Sequence, residues 1–188
     1  IEMNPKLPEA YSNLGNIMQD MGNLVEAEKY TRKAIGLNPY LSVAYSNLGN
    51  IMQDMGNLVD AEKYTRKAIE LDPNFFEAYS NLGSIFNDSG DLEKAELYIR
   101  KAIKINPNLS SSYSNLGGVL RYLGKPDEAE SYIRKAIDLN PLFPEAYANL
   151  GNLIREKGDL KKAELYTKKA IEMNPKLPEA YSNLGNIM

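Results

Sequence analysis

Two apolar stripes at helical spacing open the chain. Ala10, Tyr11, Leu14, Gly15, Ile17, Met18 and Met21 recur at steps of three and four residues, so they define one face of a helix, A. Beyond Gly22-Asn23, Leu24, Ala27, Tyr30, Thr31, Ala34, Ile35 and Leu37 define a second such face, on helix B. Pro8 suits the first turn of A, where no backbone N–H is needed. Gly22 can take positive φ at the end of A, and Asn23 is a good N-cap for B. Asn38-Pro39 closes B, because proline disfavours helix in the residue before it and cannot continue the ladder. Connections this short predict that A and B pack antiparallel.

The pattern then repeats. Tyr11-Ser12-Asn13-Leu14-Gly15-Asn16 begins again in close versions at Tyr45, Tyr79, Tyr113, Tyr147 and Tyr181, a period of 34 residues. A fixed period of that size predicts a solenoid in which each unit buries its apolar face against its neighbours. Complete units are expected over 8–41, 42–75, 76–109, 110–143 and 144–177, with partial units over 1–7 and 178–188, in a single array across 1–188. Gly15, Ala27 and Ala34 recur in all five complete units. Glycine inside a helix costs about 1 kcal/mol relative to alanine, a cost that close approach of two backbones explains, with Tyr11 and Leu14 filling the space around the contact. In the fourth unit Lys125-Pro126-Asp127 replaces Asn23-Leu24-Val25, so that B helix is expected to start without an amide cap.

Composition narrows the chemistry. The net charge of -3, from 22 basic and 25 acidic residues, argues against a surface that coats nucleic acid. No apolar run approaches the roughly 18 to 20 residues that span a bilayer, so no membrane partner is expected. Ile1 opens inside a repeat instead of a signal peptide, and both ends interrupt a unit. There is neither cysteine nor histidine, which excludes disulfides and thiolate or imidazole metal sites; no cofactor is expected. No serine sits on a nucleophile elbow, and each glycine belongs to the repeat pattern instead of a phosphate loop, so the chain is not expected to be an enzyme.

Tyr11, Leu14, Gly15, Ala27, Ala34 and Pro39 sit at the signature spacings of the tetratricopeptide repeat, with tyrosine where tryptophan is frequent, and the chain resembles that family along essentially its whole length. It departs at Met18, Met52, Phe86, Leu120 and Ile154, where the family often has tyrosine, and at Thr31, Thr65, Ile99, Ile133 and Thr167, where an aromatic is common. The resemblance implies an all-α, right-handed superhelical solenoid of antiparallel helix pairs, with A lining a concave face and B a convex one. It further implies a non-catalytic protein-protein interaction scaffold whose groove holds an extended polypeptide or a helix of a partner.

Asn13, Asn47, Asn81, Asn115, Asn149 and Asn183 occupy one place on every A helix, offset from the apolar stripe. Asparagine is a poor helix former, so something other than propensity keeps it there. Its amide offers an acceptor and two donors, matching the C=O and N–H of a peptide main chain. Helices packed about 8 to 10 Å apart would present one such amide to roughly every third residue of a strand rising about 3.3 Å per residue. The arrangement resembles the asparagine ladder in the tetratricopeptide domain of O-GlcNAc transferases; amides bonded to neighbouring helices or to water are the other reading.

Family geometry puts Ser12, Asn16, Gln19 and Asp20 on the same face, with Asn50, Gln53, Asp54, Ser84, Asn87, Asp88, Asn152 and Glu156 as counterparts. Glu9, Glu77, Glu145 and Glu179 lie nearby, so the groove is expected to be polar and mostly acidic. Arg121 and Tyr122 stand in the fourth unit where earlier units carry Gln-Asp or Asn-Asp, and Arg155 follows in the fifth. Arginine and tyrosine are common interface anchors, which makes Asn115, Arg121, Tyr122, Asn149 and Arg155 the candidate local hot spot. Where chaperone-tail-binding members carry a basic clamp, this chain has Ser12, Asn47 and Glu77, so that activity is not expected. Lys29, Arg32, Lys33, Lys63, Arg66 and Lys67 form a basic stripe on the B helices, expected to be solvated.

Residues 171–188 repeat residues 1–18 without a change, consistent with duplication in a longer array or with a designed periodic segment. Neither end carries a polar capping helix, so end-to-end self-association would be heterologous and extend as a filament. Two further functional readings stay open at this point: the substrate-recognition segment of a larger glycosyltransferase, and an architectural repeat that stacks on itself.

Overall fold

A computed structural model describes residues 7–186; the predicted partial unit over 1–7 therefore lies outside the described residues except for Leu7. Among the described residues there are eleven helices and no strand. They are α1 (Pro8–Asp20), α2 (Leu24–Leu37), α3 (Ser42–Asp54), α4 (Leu58–Leu71), α5 (Phe76–Asp88), α6 (Leu92–Ile105), α7 (Ser110–Tyr122), α8 (Pro126–Leu139), α9 (Pro144–Glu156), α10 (Leu160–Met173) and α11 (Pro178–Gly185). Odd-numbered helices are of type A and even-numbered ones of type B.

The helix ends form by the chemistry their residues carry. Gly22 takes φ 76°, which lets Asn23 N–H reach Met18 C=O at 2.8 Å and Gly22 N–H reach Gln19 C=O at 2.8 Å. That pair of bonds satisfies carbonyls left open at the end of α1. Asn23 then accepts from Glu26 N–H and starts α2. In α8 the side-chain cap is absent, as the sequence implies, and Pro126 opens the helix in register; Lys125 instead reaches back to Glu96 at 2.9 Å. At the B-to-A connections, Asn38, Asp72, Asn106, Asn140 and Asn174 each accept a hydrogen bond from the N–H two residues on, at 3.0 to 3.1 Å. These are Asx turns, which fold the chain sharply into the next A helix.

The chain forms two compact units, Ile1–Lys94 and Ala95–Met188. In the first, α1 pairs with α2 and α3 with α4, each B helix packs on the next A helix, and α1, α3 and α5 lie side by side. Its core gathers Ala27, Leu48, Ile51, Met52, Ala61 and Ile85, with Met18, Ile35 and Tyr64 against them. The second unit repeats the scheme with α7 on α8, α9 on α10, and α7, α9 and α11 as neighbours. There Tyr147, Ala148, Ala170, Leu177 and Ala180 form a buried cluster.

Glycine sets the distance between A and B. A Cβ on Gly49 would stand 2.2 Å from Thr65 Oγ1 and 3.2 Å from the Ala61 carbonyl; one on Gly117 would stand 2.4 Å from Ile133 Cγ1 and 3.1 Å from the Ala129 carbonyl. The backbones are close enough that no side chain fits, which is the predicted reason for the glycine. Thr31, Thr65 and Thr167 fill the space opposite with hydroxyls that have no hydrogen-bond partner; Ile99 and Ile133 fill it with hydrocarbon.

The basic stripe on the B helices is largely compensated. Lys29, Arg32, Arg66 and Lys67 pair with Glu26, Glu28, Glu62 and Glu70 of their own helices. Arg32 also donates to Tyr64 OH of the next B helix at 3.0 Å, while the Lys33 ammonium lies 4.2 Å from the centre of the Tyr11 ring. In the second unit Glu130 accepts from Lys157 at 2.8 Å and from Arg134 at 2.6 Å. Those two hydrogen bonds, Lys157 first, hold its carboxyl below the ordinary value of 4.5.

Two stability experiments follow from this packing. Gly117 and Gly118 are adjacent, but a Cβ on Gly118 meets nothing within 4 Å. Gly117→Ala is expected to destabilise by about 1 to 3 kcal/mol through overpacking, and Gly118→Ala to stabilise by about 1 kcal/mol through helix propensity. Urea denaturation of the two variants reads both signs. A carboxyl held low in the folded state stabilises fully above its unfolded value, and that contribution is lost as pH falls through the folded one. Glu130→Gln is therefore expected to flatten the decline in stability below about pH 4.5, measured as melting temperature against pH.

Candidate functional site

The residues singled out from the sequence lie on the A helices. Their positions are set by the apolar stripe: Leu48, Ile51, Leu150 and Leu153 are fully buried, which turns the residues between them toward the exposed side of the A layer. Asn47 Nδ2 donates to Ser12 Oγ at 2.9 Å, Asn81 Nδ2 to Ser46 Oγ at 3.0 Å, and Asn149 Nδ2 to Ser114 Oγ at 3.0 Å. Asn183, nearly buried, donates to the Ala148 carbonyl at 3.0 Å, where alanine replaces the serine. The amides thus tie α3 to α1 and α5 to α3 in the first unit, and α9 to α7 and α11 to α9 in the second, with a single donor of each engaged. Asn13 and Asn115 are exposed, while Asn16, Asn50 and Asn152 are half-buried.

A second row of contacts runs about two turns along. In the first unit Gln19 donates to Asp54 at 2.6 Å, and Gln53 donates to Asp88 at 2.5 Å and to Ser84 at 3.0 Å. The partners of Asp54 and Asp88 here are neutral amides, so this side of the first unit keeps its negative charge. In the second unit the same row carries an ion pair, Arg121 to Glu156 at 2.6 Å. The Arg121 guanidinium also lies 4.1 Å from the centre of the Tyr122 ring. Arg155 donates to Asn152 Oδ1 at 2.9 Å and stands 3.8 Å from Glu156; its Nε is enclosed without a partner.

Arg121, Tyr122, Asn149, Asn152, Pro178, Glu179, Ser182 and Asn183 line one open cavity of about 370 Å³ between α7, α9 and α11. Six residues named from the sequence converge there: Arg121, Tyr122, Asn149, Asn152, Glu179 and Asn183. Arg155 borders the cavity through Asn152, and Asn115 is not part of its wall. Pro178 and Ser182 were missed, because they read as helix-start and repeat residues. The serines that hold the asparagines were visible as Tyr-Ser-Asn, but their partners lie 35 positions away.

Clefts of comparable size elsewhere have a different origin. Tyr45, Tyr64 and Lys67 line one of about 330 Å³; Tyr113, Tyr132 and Lys135 line another of about 370 Å³; Tyr147, Tyr166 and Lys169 line one of about 280 Å³. These are equivalent places in the second, fourth and fifth repeats and belong to the packing of A on B. The Arg121–Tyr122 cavity forms where the sequence breaks the repeat.

Models described as tetratricopeptide repeat match the chain over residues 8–41, 42–75, 74–141 and 115–178. Similar solved structures include the thermophilic TPR protein TTC0263 of Thermus thermophilus, 22% identical over 96% of this chain and 98% of that one, with a TM-score of 0.84. MamA is 29% identical over 86% of this chain and 95% of its own, with a TM-score of 0.68. YrrB, described as a TPR protein with an unusual peptide-binding site, is 24% identical over 97% and 94%, with a TM-score of 0.64. Comparison with curated proteins gives no match.

The inter-helix amide bonds are open to a direct check. Ser46→Ala and Asn81→Ala are each expected to cost about 1 kcal/mol, the usual net worth of one hydrogen bond. The double variant should cost clearly less than the sum of the two, as a thermodynamic cycle on urea midpoints would show.

Proposed function

The chain belongs to the tetratricopeptide repeat family, a fold of protein-protein interaction scaffolds, and from that premise we propose that it binds an extended polypeptide along the polar face of its A helices. The observation that carries this reading is the cavity between α7, α9 and α11, where Arg121, Tyr122 and three of the asparagines meet. Such a site needs anchors that are partly buried and pre-ordered, since each side chain that must be immobilised on binding costs affinity. Arg121 meets that condition, with only 14% of its side chain exposed and its guanidinium fixed by Glu156.

The asparagines add a sequence-tolerant component. Held by Ser12, Ser46 and Ser114, the amides of Asn47, Asn81 and Asn149 keep an oxygen and one N–H for a main chain. Asn13, Asn16, Asn50, Asn115 and Asn152 extend the polar surface on either side. YrrB, with its peptide-binding site, supports the reading by analogy of fold.

A pool of degenerate decapeptides enriched on the protein supplies ligands for the test. Replacing Asn81, Asn115 and Asn149 together by alanine is expected to lower affinity about 100-fold, three hydrogen bonds at about 1 kcal/mol each. Unchanged affinity in a variant of native helicity by circular dichroism would remove the asparagines from the mechanism.

A further inference from the structure

The groups that line the cavity of the second unit are not equally free. Asn183 Nδ2 donates to the Ala148 carbonyl, and a carbonyl oxygen can only accept, so the orientation of that amide is fixed and its Oδ1 is the unused acceptor. Asn149 is held in the same sense by Ser114. The two cations at the site are engaged: Arg121 by Glu156 and by one face of the Tyr122 ring, Arg155 by Asn152. The Nε–H of Arg155 has no partner, but it is enclosed and out of reach of a ligand. Glu179 lines the cavity with no ion pair among the described residues. Beside it are the ring of Tyr122, 63% exposed, and Pro178.

What the cavity offers a cation is the Glu179 carboxylate, the oxygens of the Asn149 and Asn183 amides and two apolar walls. We infer that this cavity is the socket for one lysine or arginine side chain of the bound polypeptide, an inference that rests on the A-face reading above. The aliphatic stem lies against Tyr122 and Pro178, as long cationic side chains do on apolar surface, and the charged head donates to Glu179 and to Oδ1 of Asn149 and Asn183. An acidic side chain would meet the Glu179 carboxylate, with the Arg121 guanidinium already paired with Glu156. A purely apolar one would cover Glu179 without replacing its water.

The test uses decapeptide libraries that are degenerate except for one central position, fixed as Lys, Arg, Met or Glu, with binding followed by fluorescence polarisation. On the unmodified protein the Lys and Arg libraries should bind about tenfold more tightly than Met, the value of one hydrogen bond to a charged group, and Glu should bind most weakly. Glu179 is exposed, so Glu179→Gln should fold normally; it is expected to abolish the preference for Lys over Met, and Glu179→Lys to reverse it toward Glu. Binding that is indifferent to the fixed residue, or a Lys preference that survives Glu179→Gln, overturns the socket while leaving the groove in place. Failure of every library to bind the unmodified protein overturns the groove and the socket together.

Discussion

Each repeat depends on one contact, the place where an A helix rests its glycine on a B helix. Gly49 and Gly151 stand so close to Thr65 and Thr167 that a Cβ would fall 2.2 and 2.5 Å from the threonine hydroxyls. Ala61 and Ala163 lie fully buried on the B side of the same contact. This approach fixes the rotation of the A helix about its axis, because only one face has no side chains to keep the backbones apart. The remaining faces follow. Leucine and isoleucine turn to the core, and the Ser-Asn and Gln-Asp positions turn to the layer that neighbouring A helices share.

That layer is held by polar contacts whose donors and acceptors are 35 positions apart, one more than the period of the sequence. Their effect is double. They join successive A helices within each unit, and they consume one donor of each engaged amide, which leaves the surface richer in acceptors. In the first unit the row that includes Asp54 and Asp88 stays negative, since its partners are glutamines. In the second, Arg121 cancels Glu156 and brings an aromatic ring beside it. Two chemically different stretches thus arise on one scaffold without any change in backbone design.

Much of the fold was legible because its signals are local. Pro8, Gly22, Asn23 and Asn38-Pro39 each act within a turn of their own position, and the helices begin and end where those residues put them. The Asx turns at Asn38 and its counterparts were not anticipated, although proline after them marked the stop. Gly118 shows the limit of a pattern: beside Gly117 it looks like the same device, yet no atom lies near enough to require it. At the site, the residue types were legible and their partners were not. Tyr-Ser-Asn could not reveal that the serine holds the asparagine of the following helix, since that depends on the register between helices. The gathering of Arg121 and Tyr122 with Asn183 and Glu179 has the same origin, three A helices contributing to one cavity.

The central claim is that a polypeptide lies on the A-helix face. Side-chain amide resonances of asparagine are observed directly in ¹⁵N-edited NMR spectra, so titration with an enriched peptide reports on that face through its own assigned amides. Shifts are expected at the side-chain amides of Asn47, Asn81 and Asn149 and at the backbone of Tyr122 and Glu179, with the B-helix residues Lys29, Arg66 and Lys101 unmoved. Shifts confined to the B helices, with the asparagine amides unchanged at saturation, would contradict it.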